Sequence, residues 1–211
     1  MKGLLVSGFA AIGTGSGAML TLHAEAGLDP FHSVISEYAW ASGGWLLPAS
    51  LTLFALGSAL IAEALRRSGV DRRVVWLLVA WGTCMFLIGA FPTDRPGVPL
   101  SLSGGIHRYA AFAAFLAMPL AGMLLVRARM RYAPAMKVLC GVALGALLMV
   151  VVPYVVRMFG IPLDNADIPA GLTQRVVVVS ELAVLALIGF SLLAKGRSRQ
   201  HSRAARSSVL A

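Results

Sequence analysis

Residues 109–126 read YAAFAAFLAMPLAGMLLV, eighteen residues without a charge. As a helix rising about 1.5 Å per residue, a run of this length covers close to the roughly 30 Å of bilayer hydrocarbon. Ala110, Ala114, Ala117 and Ala121 recur along it at helical spacing and predict a small-residue face for close helix packing. His107-Arg108 precede the run, and Arg127, Arg129, Arg131 and Lys137 follow it. An apolar stretch this long between such flanks reads as a membrane span.

Working outward, five more runs of the same kind occupy 3–22, 45–64, 74–91, 138–156 and 176–194. The 211 residues are 58% hydrophobic and only 13% charged, with a mean hydropathy of +0.81. Soluble domains sit nearer half apolar and a quarter charged. The predicted fold is all-α, a polytopic bundle of six transmembrane helices forming a single domain over 1–194. A basic tail over 195–211 is expected to be disordered. Gly13, Gly15 and Gly17 in the first run, and Gly141 and Gly145 in the fifth, are further candidate packing positions. Lys2 and Ala24-Glu25-Ala26 mimic a signal peptide, but the first run exceeds the usual 7–15-residue signal core and reads as a span. Cys84 and Cys140 lie inside apolar runs and read as small hydrophobes, not a disulfide framework.

The net charge of +9 would suit a nucleic-acid partner if it formed a continuous basic face. It does not, so no nucleic-acid partner is expected. Lys2, Arg66, Arg67, Arg72, Arg73, Arg127, Arg129, Arg131, Lys137 and the tail residues Lys195, Arg197, Arg199, Arg203 and Arg206 all fall on one side of the six runs. Glu25, Asp29, Glu37, Asp94, Asp164 and Asp167 fall on the other, with Arg95, Arg108, Arg157 and Arg175 its only bases. The positive-inside rule then predicts both termini in the cytoplasm and a multi-pass protein of the bacterial inner membrane. Membrane lipids are its expected partners, and the basic tail suits anionic ones. The oligomeric state is left open.

Polar chemistry concentrates on the acidic side. Asp29-Pro30 reads as an N-cap with proline at the first helical position, opening a short extracytoplasmic interfacial helix near 29–40. On it His32 and Ser36 share one face, and Ser33 and Glu37 the next, while Phe31, Tyr38, Trp40 and Trp45 suit the interface. Such a helix either keeps its polar face in water or turns His32, Ser36 and Glu37 into a site. Asp94, after Phe91-Pro92-Thr93, is a turn residue or a ligand. His107-Arg108 opens the fourth span, and Gln174-Arg175 the sixth. Glu181, about six residues into that span (roughly 9 Å), is a costly intramembrane carboxyl, so a partner on another helix is expected, with Arg108 or Arg157 nearest in depth.

Together His32, Ser36, Glu37, Asp94 and His107 are candidate catalytic residues, and Arg108, Arg175 and Glu181 candidate substrate-binding ones. His32, Asp94 and His107 offer ligands for a divalent metal such as zinc, which activates water against an ester. A Ser-His-carboxylate set of Ser36, His107 or His32, and Asp94 is equally open. Arginines grip phosphate headgroups in bidentate fashion. Lipid handling or metal-dependent hydrolysis at the outer leaflet leads, and whether the protein is an enzyme stays open. An ion-coupled transporter using Glu181, or a structural subunit packing through Gly13, Gly17, Gly141 and Gly145, are the alternatives. A haem carrier is disfavoured, because His23, His32 and His107 all lie at the outer edge of the spans.

The segments His32–Tyr38, Phe91–Asp94, His107-Arg108 and Gly171–Arg175 resemble those of a bacterial and archaeal six-helix family known as domain of unknown function 998. The resemblance spans residues 3–194 and implies six helices with a polar cluster on one side, but no activity. A fainter similarity to the Frag1/DRAM/Sfk1 membrane family rests on Ile35-Ser36-Glu37 and His107, with Glu37 where an Asp is more usual. It hints at lipid handling.

Overall fold

The chain is described here from a computed structural model covering residues 1–95, 97–160 and 168–209. Six helices are long and apolar enough to cross a membrane. They are α1 (Lys2–Glu25), α2 (Leu46–Arg67), α3 (Arg72–Ala90), α4 (Leu102–Arg127), α5 (Ala133–Met158) and α6 (Ala170–Val209). Consecutive helices pack side by side, and α6 closes the bundle by touching α1, α2 and α4 as well as α5.

Three helices begin several residues earlier than the apolar runs suggest, α5 at Ala133 and, with consequences for polar residues, α4 and α6. Helix α4 starts at Leu102, where the Ser101 hydroxyl accepts the Gly104 amide and caps the first turn. The polar residues His107 and Arg108 are therefore helical. Helix α6 starts at Ala170, which puts Gln174 and Arg175 in its second turn. The helix runs on to Val209, while its membrane-spanning part, Ala170–Lys195, ends within one residue of the 194 read from the sequence. Apart from Gly196, residues 195–209 contain no strong helix breaker, and Lys, Arg, Gln and Ala are good helix formers.

The helices meet through small residues, though not all the expected ones. Ala110, Ala114, Ala117 and Ala121 are buried as anticipated. Between α1 and α2 the closest approach uses Gly8, Gly15 and Gly57: a Cβ on Gly8 would press on the Gly57 carbonyl, and one on Gly15 on that of Ser50. Gly13, Gly17, Gly141 and Gly145 meet nothing within 4 Å, so they face outward. Larger side chains fill the rest of the core. Phe9 stacks on Phe190 with ring centroids 4.7 Å apart, and Trp81, Phe54 and Met118 are fully enclosed. Cys140 is buried, Cys84 is half-buried, and both are free thiols.

The segment between α1 and α2 departs from the expected helix near 29–40. Asp29 does accept the Phe31 amide, as a cap would, but residues 30–32 form only a turn. A 3-10 helix follows, over Ile35–Trp40. Phe31, Trp40 and Trp45 are exposed, as interfacial aromatics should be, whereas Tyr38 is fully buried. Asp164 and Asp167 lie outside the described residues, as does the side chain of Arg157.

Candidate functional site at the acidic end

Arg175 organises the first of two polar clusters. Its guanidinium donates to the Ser33 carbonyl at 2.8 Å, to the Gly171 carbonyl at 2.8 Å and to the Tyr38 hydroxyl at 2.9 Å. It also lies 5.3 Å from the centroid of the Tyr38 ring, and that ring stacks on His23. One residue earlier, the Gln174 side-chain oxygen accepts the Ile35 amide. The Leu172 amide donates to the Phe31 carbonyl. Gly171 lets the strap approach this closely, because a Cβ there would collide with the Ser33 and Pro30 carbonyls. The 29–40 strap is thus fastened to the start of α6 by backbone groups that α6 satisfies.

Glu37 sits beside this arginine. Partial burial pushes its carboxyl above the ordinary value of 4.5, against the opposing pull of the Ser33 hydroxyl, the Val34 amide and the Arg175 charge. Ser36 is half-buried in the 3-10 turn. His32 points away: it pairs with Asp29 at 2.5 Å, with about half of each side chain exposed. The His32 hydrogen bond, followed by that of the Phe31 amide, holds Asp29 below its ordinary range.

The second cluster joins α3 to α4. Asp94 accepts the Ser101 amide at 2.9 Å, so its carboxylate rests on the N-terminus of α4, where the helix dipole favours a negative charge. Hydrogen bonds from Ser101 hold it below the ordinary aspartate value of 3.8, and the charges of Arg108 and His107 add to this. His107 is buried, and its Nδ1 lies 2.9 Å from the Phe91 carbonyl and 3.1 Å from that of Ile88. Both partners are acceptors, so Nδ1 carries the hydrogen. The imidazole thereby caps the C-terminal carbonyls of α3. Arg95, 5.0 Å from the Trp40 ring centroid, links this loop to the strap.

The eight candidate residues therefore do not converge. Glu37 and Arg175 meet in one cluster, and Asp94, His107 and Arg108 gather in the other, while His32 faces outward. Among the described residues, no three His, Cys, Asp or Glu side chains are grouped so as to hold a metal ion. The proposed ligands His32, Asp94 and His107 sit on separate elements with other partners.

Glu181 lies apart from both clusters, because α6 begins at Ala170. Eleven residues into a helix is about 16 Å, close to the bilayer midplane rather than the outer edge. Its carboxyl is completely enclosed. Oε2 accepts the Trp81 indole N–H at 2.9 Å, and Oε1 has no hydrogen-bond partner among the described residues. The expected arginine partner is replaced by a neutral donor on α3. Trp81 escaped the sequence reading, although a tryptophan in mid-span rather than in the interfacial belt was a signal. Its N–H needs an acceptor at that depth. Tyr38 was read as interfacial, and the part His23 plays beneath it was not anticipated.

A match to the family described as Protein of unknown function (DUF998) covers residues 9–191. The chain belongs to this family. No curated protein and no solved structure matches it. The family match does not show the fainter resemblance to Frag1/DRAM/Sfk1, whose Ile35-Ser36-Glu37 segment here forms part of the docked 3-10 turn.

Proposed function

We propose that this DUF998 protein is a proton-coupled membrane carrier in which the Glu181 carboxyl is the proton site. One observation carries the reading: a fully enclosed carboxyl at mid-span with, among the described residues, a single neutral hydrogen-bond partner, Trp81, and one oxygen unpartnered. An ionised carboxylate at the bilayer centre costs about 2.5–3.5 kcal/mol on insertion scales, and such residues mark ion and proton pathways. A proton on Oε1 removes the charge, while the Trp81 hydrogen bond keeps Oε2 in place in either state. The buried thiol of Cys140 on α5 is a titratable neighbour.

Lipid handling at the acidic end is a second reading, favoured by a shallow apolar groove of about 570 Å³. Leu87, Leu100, Leu102, Ile106 and Tyr109 line it, an apolar surface suited to an acyl chain. Arg175 suits a headgroup less well than its position in the sequence suggests, because its terminal nitrogens already serve the strap.

Proteoliposomes containing a pH-sensitive dye, given an inward proton gradient and a panel of small solutes, test the carrier. Wild type should move protons with at least one solute, and Glu181→Gln, which keeps an acceptor for Trp81, should not. Equal flux in both proteins would remove Glu181 from the role. Infrared difference spectra add a check that needs no substrate: wild type should show a protonated-carboxyl band that Glu181→Gln lacks. If wild type has no such band, the proposal fails.

A further inference from the structure

The basic end of the bundle contains a feature that the carrier reading does not use. The α2–α3 turn, the α4–α5 turn and the last apolar turn of α6 enclose a cavity of about 860 Å³. That lies within the range of small-molecule sites, about 300–1,000 Å³. Arg73, Arg127, Arg129, Arg131 and Lys195 line it, against the single carboxylate of Asp71. Its floor is apolar, formed by Val74, Leu125 and Leu192.

The geometry of the α4–α5 turn keeps these cations together. Arg129 and Tyr132 are the only non-glycine described residues with positive φ, at 51° and 68°. Side chains with a Cβ rarely adopt this conformation and need surrounding structure to hold it. That structure comes from α6: the Ser191 hydroxyl lies 2.8 Å from the Arg131 carbonyl and 2.8 Å from the Leu187 carbonyl, sharing its proton between them. The turn is pinned, with three arginines on one short segment. Outside the cavity Arg66 and Arg67 pair with Glu63, and at its edge Arg73 pairs with Asp71. Arg127, Arg129 and Lys195 form no ion pair among the described residues.

We propose that this cavity binds the phosphate of an anionic phospholipid from the leaflet on the basic side. Guanidinium forks match phosphate oxygens two by two. Basic pockets between transmembrane helices, at headgroup depth, hold anionic lipid headgroups. The apolar floor and the position at the ends of the spans favour a lipid over a free ion, because the acyl chains continue directly into hydrocarbon.

The test uses the full chain in nanodiscs of neutral phosphatidylcholine, titrated with short-chain phosphatidic acid and phosphatidylglycerol and read by native mass spectrometry. Wild type should retain anionic lipid in preference to phosphatidylcholine. Arg127→Gln/Arg129→Gln should weaken that binding at least tenfold. Both side chains are exposed, so the fold should survive, which a melting profile checks. Arg66→Gln/Arg67→Gln removes the same charge from the same end, outside the cavity, and should stay within twofold of wild type. Equal weakening in the two double variants would reduce the effect to diffuse surface attraction and overturn the proposal, as would undiminished binding in the cavity variant. Inorganic phosphate at millimolar concentration separates the two sources: it should fail to displace the lipid, and full displacement would make this an ion site and overturn the lipid assignment.

Discussion

The two ends of the bundle hold charges of opposite sign and use them differently. At the acidic end the charged groups are engaged in closing the fold. Arg175 binds Ser33, Gly171 and Tyr38, Asp94 rests on Ser101, and Asp29 pairs with His32. At the basic end Arg127, Arg129 and Lys195 face a cavity without ion pairs among the described residues. Connection length explains part of the contrast. The segment between α1 and α2 runs from Ala26 to Trp45, whereas α2 and α3 are joined over Ser68–Asp71 and α4 and α5 over 128–132. A long connection exposes many backbone N–H and C=O groups that need partners, and side chains from other helices supply them. A short connection leaves few such groups, satisfied here by helix caps and, at Arg131, by the Ser191 hydroxyl, so its side chains stay available to a ligand.

The largest test of that difference is Arg175→Ala. Losing a guanidinium that holds two carbonyls and a hydroxyl should cost about 3 kcal/mol, since hydrogen bonds to charged groups contribute about 1.5–3 kcal/mol each and are not additive. The loss should appear in thermal unfolding in detergent, together with faster hydrogen exchange over residues 29–40. Arg127→Gln at the basic end should change stability by no more than about 0.5 kcal/mol, as surface substitutions do. If the two variants melt alike, the ends do not differ in the way described.

Much of this fold was legible in the chain. Six apolar runs and a one-sided distribution of Arg and Lys lead to six spans without further information, because hydrocarbon imposes helix length and loop charge directly. Boundaries were less legible. An apolar run stops at its first polar residue, but a helix continues while its backbone and side chains find partners, as at Ser101 and Gln174. Counted from that earlier start, Glu181 lies about 16 Å along α6 rather than the roughly 9 Å counted from the apolar run. Packing glycines were hard to choose for a related reason. Outward and inward faces are both apolar in a membrane helix, so nothing in the spacing separates Gly8 and Gly57 from Gly13 and Gly141. The candidate site was read from membrane level alone. Level places Asp94 and His107 together, correctly, but does not say that His32 turns toward Asp29.

A smaller effect is expected from Asp94→Asn. The Asp94 carboxyl is held below the ordinary value of 3.8 by Ser101, so its contribution is complete above that value and fades as pH falls through the lowered one. The protection of the Ser101 amide against hydrogen exchange, relative to its intrinsic rate, should fall in wild type only in that acid range. The asparagine variant should exchange severalfold faster at neutral pH and lose the acid-dependent step. An acid step that persists in the variant would assign it to another group.

Glu37 should give the smallest effect, and one of opposite sign. Burial raises its carboxyl above 4.5, so the folded strap binds that proton more tightly than the unfolded chain does. Its contribution is favourable at low pH and declines as pH rises from 4.5 through the raised value. Between those limits Asp94 is already fully ionised, so the two carboxyls can be told apart in one titration. Glu37→Gln should remove the decline and leave stability at pH 7 unchanged or higher by under about 0.5 kcal/mol. A clear loss at neutral pH would mean that Glu37 acts there as the ionised partner of Arg175. The strap would then be fastened by an ion pair as well as by backbone carbonyls, and the contrast between the two ends would become sharper.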